Sequence, residues 1–190
     1  GTFHSIFAKF LRKHSQLVKL KYNFNILDTD DQKKLLKQVI EFCKIDNDVN
    51  ESIYLNEIQN LKDQKILSNE KLKISKFSSI EGISDVYKLY QERLLEINGV
   101  DFGDILLHSY QILSNNEELR NTYLSYIDHI LIDEFQDTNL IQYDLIKLLL
   151  NKKRNLFCVG DDDQSIYAWR GAKIENIINF PKEFDCPVVR

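Results

Sequence analysis

Apolar positions in the first hundred residues fall mostly at helical spacing. Phe3, Ile6, Phe7, Phe10 and Leu11 share one face of a helix that begins near Thr2. Thr29-Asp30-Asp31-Gln32 is a capping-box pattern opening a second helix to about Lys44, with Leu35, Leu36, Val39, Ile40 and Cys43 turned inward. A third helix covers Glu51 to Lys62, with Ile58 and Leu61 on its apolar side. Residues 63–80 are polar and weakly patterned and read as mostly loop. The stripe Val86, Leu89, Tyr90, Leu94 and Ile97 predicts a helix from about Ser84 to Ile97, stopped by Asn98-Gly99. Residues 24–102 therefore read as a helical unit with no strand.

After that the period changes. A helix starts within residues 100–107 and runs to about Leu113, and Glu117 to Tyr126 forms another. Ile127 to Ile132 is a short apolar run, read as a strand buried on both faces. Thr138 or Asn139 caps a helix to about Leu150, Leu156 to Val159 is a second buried strand, and a last helix spans about Ile174 to Phe180. Helix alternating with strand predicts a parallel α/β sheet, which the block 24–102 interrupts.

Both strands end in polar, acidic loops. The first delivers Asp133 and Glu134 at its carboxyl end, where open α/β sheets bind ligands. An apolar strand ending in Asp-Glu is the Walker B pattern, with one carboxylate for Mg²⁺ and the next for an attacking water. Gln136-Asp137 extends it to DEFQD, with Gln136 free to hydrogen-bond in or near the pocket. The second strand ends in GDDDQSIYAWRGA, residues 160–172, where the Gln164 amide is placed to sense a γ-phosphate. Asp161, Asp162 and Asp163 are an alternative metal site but lack the spacing of a calcium loop, and Asp161 and Asp163 read as holding the loop by hydrogen bonds. Tyr167 and Trp169, followed by Arg170, either stack on bases of a single strand or pack in the core. Thr2, His4 and Ser5 stand at the start of the first helix, where they hold a phosphate or cap the helix.

Bulk properties narrow the class. The 190 residues are 43% hydrophobic and 28% charged, ordinary for a globular protein. No apolar run is long enough for a membrane helix, and three dispersed cysteines, Cys43, Cys158 and Cys186, point to a reducing compartment. The net charge of −4 hides a basic start: Lys9, Arg12, Lys13, Lys19 and Lys21 precede the first acidic residue. Such a segment is a phosphate-contacting surface or a solvated helix face. Lys62, Lys65, Lys71, Lys73 and Lys76 pose the same alternative, a grip on duplex or solvated side chains. The absence of methionine and the opening Gly1 predict a piece of a longer protein.

Four segments, TFHS (2–5), VDFGDILL (100–107), LIDEFQDTN (131–139) and VGDDDQSIYAWRGA (159–172), resemble consecutive motifs of superfamily-1 DNA helicases of the UvrD/PcrA/Rep type, in matching order and spacing. The resemblance implies an α/β fold: part of a RecA-like P-loop NTPase domain (1A) in residues 1–23 and 103–190, with an all-helical inserted subdomain (1B) in residues 24–102. It implies ATP and Mg²⁺ as cofactors, Asp133 on the metal, Glu134 at the lytic water and Gln164 on the γ-phosphate. Gln136, Asp137 and Arg170 would lie at or near the nucleotide. Thr2, Phe3, His4, Tyr167 and Trp169 would contact single-stranded DNA. The implied protein is a cytoplasmic motor that moves 3′-to-5′ on single strands and ss/dsDNA junctions, closing against a second RecA-like domain of the same full-length chain.

No GxxxxGK[ST] phosphate loop occurs in these residues, and in the family it lies upstream of TFHS. The fragment alone is therefore expected to hydrolyse no ATP. Three other readings compete: the helicase subunit of a helicase–nuclease, a metal-dependent hydrolase using Asp133, Glu134 and residues 161–163, and a catalytically silent DNA-binding module.

Overall fold

Thr2 begins the first element, because its Oγ1 accepts the Ser5 N–H at 3.2 Å and satisfies a donor that the helix leaves open. Helix α1, Phe3–His14, follows and buries Phe7, Phe10 and Leu11. Ile6, expected on that face, is 55% exposed. Arg12 is drawn out of the basic surface. Its guanidinium donates to the carbonyls of Tyr22 (3.1 Å) and Phe24 (3.0 Å) and lies 4.4 Å from the Phe24 ring. The structure is a computed structural model that describes residues 1–45, 50–150, 155–161, 180, 182–184 and 187.

Four helices follow on one apolar core: α2 (Thr29–Phe42), α3 (Glu51–Asp63), α4 (Lys71–Phe77) and α5 (Ile83–Glu96). Leu36, Ile58, Ile74, Val86 and Leu94 are at most 1% exposed, each worth about 1.5–3 kcal/mol of burial. Asp28, not Thr29, caps α2, accepting the Asp31 N–H at 2.9 Å, while Gln32 donates to the Leu27 carbonyl instead of closing a capping box. Helix α4 lies where loop was expected. One fully buried residue, Ile74, anchors it, and seven residues are too few to display a period.

Two short strands bracket these helices where none was expected. Strand β1 (Asn25–Ile26) pairs parallel to β2 (Gly99–Val100). Two residues cannot show the alternation that marks a strand. Ile97, placed on the apolar stripe by its spacing, lies beyond the end of α5 and is 52% exposed.

Helices α6 (Phe102–Asn115) and α7 (Glu117–Tyr126) lead to β3 (His129–Ile132), then α8 (Leu140–Leu148) and β4 (Asn155–Cys158). Asn139 caps α8, and Gln142 completes a capping box with it. Strands β3 and β4 are parallel, from His129↔Asn155 to Ile132↔Cys158, so the segment carrying α8 is their crossover. Ile132 is buried, but Leu131 and its register partner Phe157 are 74% and 62% exposed. The expectation of cover on both faces is therefore not met. An apolar run records a strand's demand for cover, not whether neighbouring residues supply it.

The chain divides into two compact units, residues 1–112 and 113–190. Cys43 and Cys158 are both half-buried. Most of the expected 174–180 helix, and Cys186, lie outside the described residues. No described helix is long and apolar enough to cross a membrane.

Candidate functional site

Pairing of β3 with β4 continues beyond both strands. The Val159 N–H donates to the Ile132 carbonyl at 2.8 Å, and the Phe135 N–H donates to the Val159 carbonyl at 2.9 Å. The two strand-end loops therefore leave the sheet side by side. Asp133 and Glu134 emerge from the first, both exposed. Asp133 Oδ1 accepts the Glu134 N–H at 3.0 Å. Glu134 itself sits at φ 52°, ψ 44°, a left-handed conformation costing a residue with a side chain about 1–3 kcal/mol. Phe135 anchors the turn: it is buried, with ring centroids of Tyr143 and Phe180 6.1 and 5.0 Å away.

Gln136 is 1% exposed, and both ends of its carboxamide are engaged. Nε2 donates to Glu134 Oε2 at 2.6 Å, and Oε1 accepts the Asp161 N–H at 3.1 Å. Expected to hydrogen-bond in or near the pocket, Gln136 bonds to Glu134 and reaches across to the second loop at Asp161. Asp137 is half-buried, and its Oδ1 is enclosed with no hydrogen-bond partner among the described residues. Burial, then the charge of Glu134, pushes its carboxyl above the usual range.

Among the described residues, no group of three or more His, Cys, Asp or Glu side chains could hold a metal ion. Mg²⁺ does not require one, since it commonly takes one or two carboxylates and completes its shell with substrate phosphates and water. An exposed Asp133 at the carboxyl edge of the sheet has that donor chemistry. Gln164, Tyr167, Trp169 and Arg170, along with Asp162 and Asp163, lie outside the described residues.

The other expected contact residues are in the first unit. Thr2 is exposed at the cap of α1, and the Phe3 ring lies parallel to that of Phe7. His4 is half-buried, its ring edge-on to Phe102 at 5.6 Å. Burial lowers the His4 pKa, so at neutral pH it offers an N–H rather than a charge. Phe102 was missed by the sequence reading, which absorbed it into an apolar helix. It is 50% exposed at the first position of α6. The available signal was its place at the helix start, ahead of the buried run Ile105 to Leu107.

Residues 1–185 match the family described as UvrD/REP helicase N-terminal domain. The chain belongs to that family. A DNA helicase II of Haemophilus influenzae is 39% identical over 194 aligned positions, covering 100% of this chain and 26% of the relative. A probable DNA helicase II homolog of Rickettsia conorii is 40% identical, covering 97% of this chain and 29% of the relative. An ATP-dependent DNA helicase PcrA of Staphylococcus epidermidis is 36% identical, covering 97% and 25%. The chain thus spans about a quarter of the length of these curated relatives.

In this UvrD/REP helicase domain, VDFGDILL has a visible structural task. Lys62, expected either to grip duplex or to be solvated, is completely buried and lies 2.6 Å from Asp101 Oδ2 and 2.7 Å from Asp104 Oδ1. The Tyr90 hydroxyl donates to Asp101 and the Gln91 amide to Asp104, both at 3.0 Å. Each aspartate also accepts the other's backbone N–H. Gly103 permits the approach, since a Cβ there would lie 2.8 Å from Lys62 Cδ and 2.7 Å from Gln59 Oε1. Burial opposes ionisation of both carboxyls. Lys62 overcomes it at Asp104, which lies below the usual range, while burial and the charge of Asp104 leave Asp101 above it. The cluster ties α3 and α5 to the start of α6.

Proposed function

We propose that the full-length protein containing this chain is an ATP-dependent DNA helicase that translocates 3′-to-5′ on single-stranded DNA. One observation carries the reading: Asp133 and Glu134 leave β3 beside a parallel β4 that runs directly into the 159–172 motif. In this reading residues 1–23 and 103–190 belong to a RecA-like P-loop ATPase domain and 24–102 form its helical insert. Containment of the four-helix core between Leu27 and Leu94 supports that division. Asp133 holds Mg²⁺, which when bound screens phosphate charge. Glu134 orients and deprotonates the attacking water, Asp137 lies beside it, and Gln164 and Arg170 complete the nucleotide contacts from the second loop. Thr2, Phe3, His4, Tyr167 and Trp169 line the path of the strand, near a junction with duplex. The half-exposed ring of Phe102 beside His4 adds a stacking surface of the same kind. A second RecA-like domain closes over the nucleotide, and the motor works in the cytoplasm.

Glu134→Gln in the full-length protein tests this. The amide keeps the shape and loses the base, so DNA binding and ATP binding persist while ATP hydrolysis and unwinding fall about 10²–10⁴-fold. Wild-type turnover by that variant would overturn the assignment.

A further inference from the structure

We propose that Gln136 is a positioning residue for ATP hydrolysis: its buried carboxamide fixes the Glu134 carboxylate and locks it in register with the second strand-end loop at Asp161. The proposal rests on the reading of Glu134 as the water-activating base.

The geometry is specific to glutamine. A carboxylate accepts and cannot donate, whereas the Asp161 N–H donates and cannot accept. The group between them must offer a donor at one end and an acceptor at the other, and only one orientation of a carboxamide does so. Asparagine is one methylene short of that span, and glutamate sets oxygen against oxygen. At 1% exposure Gln136 is closed to competing water, so these bonds hold the carboxylate more firmly than surface contacts would. The constraint matters because Glu134 is otherwise an exposed side chain on a left-handed residue. Asp161 precedes Gln164 by three residues in sequence. Whatever displaces Asp161 therefore removes the donor to Gln136 Oε1, and with it the support of the partner of Glu134.

The test compares Gln136→Glu, Gln136→Met and Glu134→Gln in the full-length protein, measuring steady-state kcat and KM for ATP hydrolysis and melting temperature. Gln136→Glu keeps the acceptor for Asp161 and turns the donor into a like charge. Its kcat is expected to fall about tenfold or more with KM for ATP nearly unchanged. Gln136→Met loses both bonds without adding charge, so its kcat falls with KM again nearly unchanged. A fall in kcat that only tracks lost folded protein, in both Gln136 variants, would reduce Gln136 to a structural residue and overturn the proposal. If Glu134→Gln hydrolyses ATP normally, the base assignment fails and this inference with it. If Glu134→Gln is inactive while Gln136→Glu matches wild type, the inference alone fails.

Discussion

Asp101 with Asp104, and Asp133 with Glu134, are close acidic pairs at the edges of secondary structure, and the fold treats them oppositely. The first pair is at most 1% exposed, neutralised by Lys62 and supplied with donors from Tyr90, Gln91 and two backbone N–H groups. The second is exposed and, among the described residues, is held by one local bond to Asp133 and one from Gln136. A carboxylate whose lone pairs are all engaged indoors can stabilise but has nothing left for a ligand. One that keeps its oxygens at the surface, on a strained backbone, gives up stability and keeps its chemistry. Acidic pairs in a motif are thus told apart by where their hydrogen bonds go, not by spacing.

The largest effect expected from breaking this comparison is in the buried cluster. Lys62→Met leaves two enclosed carboxylates without their lysine, with His108 Nε2 3.9 Å from Asp104 as the other basic group, and should destabilise the fold by about 3–5 kcal/mol at neutral pH. Unfolding of the 190-residue chain by urea, followed by circular dichroism, measures it. The pH dependence gives a sharper version. Without Lys62 both carboxyls are raised above their unfolded values, so the folded state binds more protons and the variant gains stability as pH falls to about 5. An equal loss at both pH values would mean that lost packing, not charge, is responsible. Tyr90→Phe removes one donor to Asp101 and should cost less, about 1.5–3 kcal/mol in the same measurement.

Much of this was legible beforehand, and the reason differs between the regions. The long helices could be read because Leu36, Val39, Ile58, Val86 and Leu94 repeat at the period of one face. The α8 cap could be read because Asn139 and Gln142 are local to it. The Asp133-Glu134 turn was legible because a strand, its two carboxylates and the buried Phe135 are contiguous. Lys62 was misread because its partners lie 39 residues and more away, and nothing local distinguishes it from Lys65. The second bond of Gln136 was not legible for the same reason, since the backbone group that engages its oxygen is 25 residues downstream. Local pattern specifies elements, and long-range polar pairing decides which polar residues are left for chemistry.

The smallest expected effect is the one that most directly separates the two pairs. Asp133→Asn and Glu134→Gln keep the shape of each side chain, and each amide oxygen can still accept its present bond, from the Glu134 N–H and from Gln136 Nε2. Only charge is lost, from a surface that already carries Asp137 beside Glu134. Chemical unfolding should therefore change by no more than about 0.5 kcal/mol for either variant. The sign should be neutral or slightly stabilising, because like charges are removed. In Glu134→Gln the Asp137 carboxyl should also fall back toward its ordinary range, which NMR titration of that carboxyl would follow, since Glu134 is one of the two influences that raise it. A loss of stability near that of Lys62→Met would show that the exposed pair also holds the fold together, and the contrast between the two pairs would fail.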